Sequence, residues 1–194
     1  KIEAYRAIVA ARPRVPAGYA LLSSAYQQRS RESADPALLG RAIATVDRGL
    51  RLAPRDAALL TQRSSLLLAR HRFREGLAVA ERVHRLDPAL KRPYGALVDG
   101  YVETGRYRAA ARALQAAIDR GPTLSTYTRA SYFRELHGDI PGAMEALRLA
   151  ASAGGDAAEN VAYVKTLLGN LELASGRTRS ARRSFLEARF RVPG

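Results

Sequence analysis

The chain has 194 residues and a mass of 21.1 kDa, the length of one ordinary domain or of two small ones. Hydrophobic residues make up 47% and charged residues 26%, which excludes a disordered chain, and the absence of cysteine excludes disulfides, thiolate metal sites and a cysteine nucleophile. The formal net charge is +14, and arginine supplies all but three of the 32 basic residues.

The spacing of the prolines predicts an internal repeat. Pro54, Pro88 and Pro122 follow one another at intervals of 34 residues. Before each of them, small and larger apolar residues recur at offsets of three and four, the spacing of one face of a helix. Proline is common just past a helix end, so each proline is interpreted as the end of one repeat unit.

Helices are predicted in pairs after an N-terminal half unit over residues 1–12. The first helix of a pair has an aromatic and leucine face, such as Tyr94, Leu97 and Tyr101, and the second carries the apolar face that precedes the proline. Tyr26 and Tyr101 are expected in the core. The pairs are expected near residues 16–52, 57–86, 91–120, 124–153 and 158–190, and no strand is predicted.

Glycines and aspartates are predicted to mark the helix ends. Gly105, Gly138 and Gly176 stand between the two helices of a pair, where glycine accepts the left-handed conformation that ends a helix. Asp139 is expected to cap the helix that follows it. Asp35 is expected to do the same, with the next proline at the first helical position.

Two units are longer than the repeat. Pro13 and Pro54 are 41 residues apart instead of 34, and the excess falls at Arg29–Pro36. A second excess of three residues (71 between Pro122 and Pro193, against 68) falls near Gly154–Asn160. Insertions cost least in loops, so loops are expected at both places, beside a binding face.

The residues of the third and fifth units carry a family resemblance. The third unit has Tyr94, Leu97, Val98, Tyr101, Ala110, Leu114, Ala117 and Pro122, and the fifth has Leu168, Gly169, Gly176, Ala181, Phe185, Ala188 and Pro193. This order resembles the tetratricopeptide repeat of bacterial type, a helix–turn–helix unit of 34 residues, in about five copies. The second and fourth units depart from it at Arg63, His71 and Arg134.

The resemblance implies an all-α fold, a right-handed α-solenoid of tetratricopeptide helix–turn–helix repeats. A single domain over residues 1–194 is expected. Its units are a half repeat at 1–15 and repeats at 16–56, 57–90, 91–123, 124–161 and 162–194. Because the chain starts in the second helix of a broken unit and stops at Pro193-Gly194, we expect a fragment of a longer chain, or an array whose ends are covered by partners.

No pattern for catalysis or metal binding is present in the sequence. His71, His84 and His137 are isolated from one another, so no pair of metal ligands forms on one helix. Neither a nucleophile elbow nor a phosphate-binding loop occurs. The sequence therefore predicts a protein that is not an enzyme and that has no metal or cofactor.

In the family that the chain resembles, first helices line a concave groove, and the resemblance places a polar strip there. The candidate binding residues are Gln62, Asp99, Glu103, Arg129, Tyr132, Glu135 and Asn170. The acidic pair is four residues apart on one helix, and the other three of the central patch are three apart on the next, so we expect these five to meet. The leading hypothesis is a protein–protein interaction scaffold that binds a peptide or partner segment in the groove. The alternative for this strip is a solvated polar face.

The arginines fall mainly on second helices and turns. They include Arg41, Arg48, Arg51, Arg55, Arg82, Arg85, Arg108, Arg112, Arg120, Arg148, Arg179, Arg182, Arg183 and Arg189. The runner-up hypothesis is a basic electrostatic adaptor that docks a nucleic acid, an anionic lipid surface or an acidic protein through this outer face. A composition bias toward arginine is the alternative explanation.

A protein or peptide is therefore the expected partner, ahead of nucleic acid or an anionic membrane surface. End-to-end self-association of the array is a further hypothesis. No apolar run approaches the roughly 18 residues of a membrane span and no signal-peptide core is present, so the sequence leaves the compartment open.

Overall fold

Residues 1–191, the part of the chain that the computed structural model describes, form eleven helices and no strand. The helices are α1 (Ile2–Ala11), α2 (Pro16–Ser33), α3 (Pro36–Leu52), α4 (Ala57–Ala69), α5 (Phe73–Leu86), α6 (Pro93–Glu103), α7 (Tyr107–Asp119), α8 (Leu124–Leu136), α9 (Ile140–Ala153), α10 (Ala158–Ala174) and α11 (Thr178–Arg191). These bounds agree within two residues with the predicted helix pairs. Pro193 and Gly194, which end the predicted fifth motif, lie outside the described residues.

The helices belong to two compact units. The N-terminal unit runs from Lys1 to Arg106 and contains α1 to α6, and the C-terminal unit begins at Tyr107 with α7. The division falls between the two helices of the third predicted repeat. The single domain and its repeat bounds stay predictions, and each unit is described by itself below.

The core of the N-terminal unit joins α2, α3 and α4. Its buried residues are Tyr19, Leu22 and Tyr26 of α2, Ala42 and Val46 of α3, and Leu59 and Leu66 of α4. The three residues of α2 recur at offsets of three and four, which places them on one helix face. The Tyr19 hydroxyl donates to the Pro13 carbonyl at 2.8 Å, so the polar end of this buried ring is satisfied.

The core of the C-terminal unit joins α9 and α10. Its buried residues are Ala143, Met144, Leu147 and Ala150 of α9, and Val164, Leu168 and Leu171 of α10. Glu172 is buried beside it, where it accepts a hydrogen bond from Ser184 of α11 at 2.7 Å and lies 3.6 Å from the guanidinium of Arg148. A buried carboxylate needs such partners, because its desolvation is otherwise costly.

The turns between paired helices follow the sequence pattern. Gly105, Gly138 and Gly176 have φ values of 73°, 77° and 74°, the left-handed conformation that was predicted. In the second repeat His71 takes this conformation with a φ of 56°, and its ring packs edge-on against Phe73. The backbone turn is therefore retained where the glycine is missing.

The two predicted aspartate caps are present. Asp35 accepts from the backbone N–H of Ala37 at 2.8 Å, and α3 begins at Pro36. Asp139 accepts from the backbone N–H of Gly142 at 2.9 Å at the start of α9. Each carboxylate satisfies an N–H group that the first turn of a helix leaves unpaired.

The prediction that the extra residues form loops is wrong, because both excesses lengthen helices. α2 has 18 residues and continues to Ser33, whereas α4 has 13. Its last turns are held by side-chain pairs at helical spacing: Gln28 donates to Glu32 at 2.9 Å, and Arg29 lies 3.5 Å from the same carboxylate. Likewise α10 has 17 residues and already includes residues 158–160.

Candidate functional site

In the N-terminal unit, the first helices α2 and α4 are linked by a polar network. The side-chain amide of Gln62 donates to the Gln27 carbonyl oxygen at 2.9 Å, and the Gln27 amide donates to the Ser65 hydroxyl at 3.2 Å. Gln27 is buried, and the other two are half-buried. The predicted groove residue Gln62 thus contributes to a contact between helices.

Arg63, the departure from the repeat pattern on α4, has an equally local explanation. Its guanidinium forms an ion pair with Asp47 of α3, and both side chains are partly exposed, at 27% and 34%. The polar contact replaces the leucine that is usual at this position in the family. The substitution therefore fits the helix pair and does not mark a binding site.

Tyr101 near the end of α6 is part of a charged cluster rather than of the apolar core. Its hydroxyl donates to Glu81 of α5 at 3.1 Å, and Arg106 donates to the same carboxylate oxygen at 3.0 Å. The guanidinium carbon of Arg106 lies 4.7 Å from the centroid of the tyrosine ring. Tyr101 is half-buried, so the core prediction is confirmed for Tyr26, which is 8% exposed, and wrong for Tyr101.

The acidic groove residues Asp99 and Glu103 lie four residues apart on α6. Asp99 is half-buried and Glu103 is exposed. Glu103 and Thr104 line an open depression of about 470 Å³ together with residues 71–75 of the α4–α5 turn. The Arg72 guanidinium donates to Glu75 at 2.7 Å there, and this contact lowers the pKa of the Glu75 carboxyl.

In the C-terminal unit, α8 carries Arg129, Tyr132 and Glu135 at intervals of three residues. Arg129 is half-buried, and its guanidinium donates to the Ser125 carbonyl at 3.1 Å and to the Ser125 hydroxyl. Tyr132 is 47% exposed and Glu135 is exposed. This helix therefore presents a cation, an aromatic ring and a carboxylate.

The next first helix, α10, carries the predicted residue Asn170, which is exposed. Thr166 lies one turn before it, also exposed, with its hydroxyl donating to the Ala162 carbonyl at 3.0 Å. Tyr163 precedes Thr166 by three residues and is 61% exposed. The sequence prediction missed Tyr163, although its spacing from Thr166 and Asn170 places it on the same helix face.

One position of the repeat links these faces. The residue six positions before each left-handed turn residue is Ser65 before His71, Asp99 before Gly105, Tyr132 before Gly138 and Asn170 before Gly176. Within the C-terminal unit, Tyr132 and Asn170 thus occupy equivalent places on α8 and α10, two helices in contact. The prediction that Asp99 and Glu103 meet the α8 residues joins the two units and stays a prediction.

The second helices of the N-terminal unit carry arginines without carboxylate partners. Arg41 and Arg51 of α3 and Arg85 of α5 are exposed and form no ion pair within residues 1–191. The nearby carboxylates are occupied, because Asp47 pairs with Arg63 and Glu81 pairs with Arg106. Positive charge on this surface is therefore not neutralised locally.

The described residues contain no group of three histidine, aspartate or glutamate side chains that could hold a metal ion. Each histidine ring packs against an aromatic ring with centroids 4.4 to 5.4 Å apart, the partners of His71, His84 and His137 being Phe73, Tyr94 and Phe133. None of the helices formed by residues 1–191 combines the length and the hydropathy that crossing a bilayer requires.

Neither a protein-family profile nor a curated protein matches the chain. Solved structures do. TTC0263, a thermophilic TPR protein of Thermus thermophilus, is 17% identical, with a TM-score of 0.74 over 88% of this chain and 92% of that one. A tetratricopeptide repeat protein from Parabacteroides merdae is 14% identical, with a TM-score of 0.76 over 98% and 71%.

A third similar structure is YrrB, described as a TPR protein with an unusual peptide-binding site. It is 14% identical to this chain, with a TM-score of 0.56 over 100% of this chain and 94% of its own. At such identities the likeness concerns the fold alone. Together with the helix pairs and left-handed turns, it establishes that this chain is an all-α repeat protein of the tetratricopeptide type.

Proposed function

We propose that the protein is a non-catalytic interaction scaffold whose first helices bind an extended peptide or partner segment. The observation that carries this proposal is the pair of exposed tyrosines, Tyr132 on α8 and Tyr163 on α10. Both stand on polar first-helix faces of one unit, next to Asn170 and Thr166. Tyrosine and arginine are enriched where proteins bind each other, because they combine large contact area with hydrogen bonding.

Hydrogen-bonding groups beside the two rings suit a peptide backbone. Asn170 offers both a donor and an acceptor, and Glu135 offers acceptors. Arg129 adds a positive charge, held by its contacts with Ser125. YrrB, a structure of similar fold, is described as having a peptide-binding site, which supports the class of ligand but not the residues.

The test selects peptides from a random display library on the immobilised chain and measures their affinity by fluorescence polarisation. Arg129→Ala together with Tyr132→Ala should weaken the selected peptides by about 2 kcal/mol or more, roughly thirtyfold, with unchanged helicity by circular dichroism. Arg112→Ala, an exposed arginine on α7, is the charge-matched control and should leave affinity unchanged. Unchanged binding by the double variant would contradict the proposal.

A second candidate function is a basic adaptor for an anionic partner. The unpaired arginines of α3 and α5 favour it, since nothing within the described residues neutralises them. Binding of a short DNA duplex or of phosphatidylserine vesicles should fall steeply with salt, because polyanion binding releases counterions. Arg41, Arg51 and Arg85 changed to Glu should abolish it, whereas Arg12→Glu should not.

A salt-independent affinity for every anionic probe would contradict the adaptor function. Loss of the selected peptides on reversal of the α3 and α5 arginines, with no effect of the α8 variant, would transfer the function from the first helices to this basic surface.

A further inference from the structure

An open apolar groove lies between α10 and α11 in the C-terminal unit. It has a volume of about 390 Å³ and is lined by Leu173 of α10 and by Ala181, Phe185 and Leu186 of α11, with Arg182 and Arg189. Leu173 is 53% exposed and Leu186 is 39% exposed. Phe190, one helical turn after Leu186, is 82% exposed and extends the apolar face.

The preceding helix pair shows what fills such a groove. When α11 is aligned with α9 by their first residues, Thr178 and Ile140, Ala181 and Phe185 take the places of Ala143 and Leu147. On α9, these places are buried against α10, through Val164 and Leu168 among others. The open groove thus repeats a surface that packs an amphipathic helix elsewhere in the same unit.

The two surfaces differ in charge. Arg182 and Arg189 of α11 stand where α9 has Met144 and Ala151, both of which pack on the α10 interface. Neither arginine forms an ion pair within residues 1–191. Glu187, the carboxylate of α11, lies 2.6 Å from Lys165 and is therefore already occupied.

A helix that covers this groove must neutralise the two guanidinium groups, because burying a charge without a partner is costly. The α9–α10 contact provides a precedent, since the guanidinium of Arg148 on α9 lies 3.6 Å from Glu172 of the helix packed against it. Arg182 and Arg189 are seven residues apart, two helical turns, so an occupant needs carboxylates about two turns apart along its own axis.

We propose that the groove between α10 and α11 is a docking site for an acidic amphipathic helix of a partner protein. Its apolar residues would recur at offsets of three and four and cover Phe185, Leu186 and Leu173, with aspartate or glutamate on its flanks. A second copy of this chain suits the site poorly, because the chain carries a net charge of +14. The proposal is independent of peptide binding by the first helices.

Three labelled synthetic peptides test the proposal against the full chain by fluorescence polarisation. The first keeps apolar residues at the spacing of Val161, Val164, Leu168 and Leu171 of α10 and has glutamate at the exposed positions. The second has the same composition in an order without an apolar face, and the third has lysine in place of glutamate. The first should bind at least tenfold more tightly than the other two.

Variants then locate the site. Leu186→Glu, and separately Arg182→Glu with Arg189→Glu, should each weaken the first peptide at least tenfold, since one removes apolar contact and the other reverses the charge. Both changes are at exposed residues, so thermal unfolding should confirm that the variants are folded. Leu149→Glu, at a leucine of α9 that is 44% exposed, is the matched control and should leave affinity unchanged.

Equal binding of the ordered and scrambled acidic peptides would overturn the proposal in favour of general electrostatic attraction. Equal binding of the lysine peptide would overturn the need for acidic flanks. Absence of binding, or an unchanged affinity in Leu186→Glu, would remove the site. A concentration-dependent dimer in sedimentation velocity that Leu186→Glu dissociates would assign the groove to a second copy instead.

Discussion

Ser65 of α4 and Tyr132 of α8 occupy the same position of the repeat, six residues before the left-handed turn residue, in surroundings of opposite kind. Ser65 accepts from Gln27, which in turn accepts from Gln62, so polar groups of the N-terminal unit satisfy one another. Tyr132 is 47% exposed, and Asn170 at the equivalent position of α10 is exposed as well. A repeat thus fixes where a side chain stands, while its neighbours decide whether it packs or remains accessible to a partner.

Helix packing beside these positions gives the largest expected difference. A Cβ added at Gly100 of α6 would lie 2.8 Å from the Leu77 Cβ and 3.3 Å from its Cα, whereas one at Gly169 of α10 would meet the ring of Phe185, which is half-buried and able to rotate outward. Gly100→Ala should therefore destabilise by about 1–3 kcal/mol, and Gly169→Ala by less. Urea unfolding measures both, and the reverse order would show that Phe185 is the more rigid neighbour.

The polar network itself provides the next test. Gln27→Ala leaves Gln62 and Ser65 without the group that joins them and should cost about 1–2 kcal/mol of unfolding free energy. Asn170→Ala should change stability by less than about 0.5 kcal/mol, because the side chain is exposed. Equal losses in denaturant titrations would mean that the two faces do not differ as described.

The turns of the two units offer a smaller effect of opposite sign. His71 adopts a left-handed φ of 56°, which costs a residue with a Cβ more than it costs glycine. His71→Gly should stabilise the protein by about 0.5–1 kcal/mol, and Gly138→Ala, at a φ of 77° with open space around it, should destabilise it by a similar amount. Thermal unfolding checks both, and a loss of stability in His71→Gly would give the contact with Phe73 more weight than the backbone.

The smallest effect concerns the extension of α2, which the C-terminal unit lacks. The hydrogen bond from Gln28, with Arg29 beside it, lowers the pKa of Glu32 below its ordinary value of 4.5. A lowered carboxyl pKa means that the stabilisation is present above the ordinary value and is lost as the pH falls through the lowered one. Gln28→Ala should raise the pKa of Glu32 in an NMR titration, and Gln115→Ala, an amide on α7, should leave it unchanged.

Local chemistry allowed much of the fold to be predicted from the sequence. The helix pairs, the left-handed turns at Gly105, Gly138 and Gly176, and the caps Asp35 and Asp139 all depend on contacts within a few residues of the chain. Such contacts act at offsets of two to four, which are visible in the sequence itself. The lengthening of α2 was also local, but a comparison of repeat lengths could not distinguish a longer helix from a longer loop.

What only the tertiary structure decided is the fate of each side chain that the repeat places on a surface. Gln62 packs against Gln27 from another helix, and Tyr101 packs against Glu81 and Arg106, partners that sequence spacing does not reveal. The same holds for the groove of α11, where Arg182 replaces an apolar packing residue of α9. The sequence determined that these helices form and where they turn, because those energies are local; exposure and pairing depend on residues far apart in the chain, and therefore only on the folded arrangement.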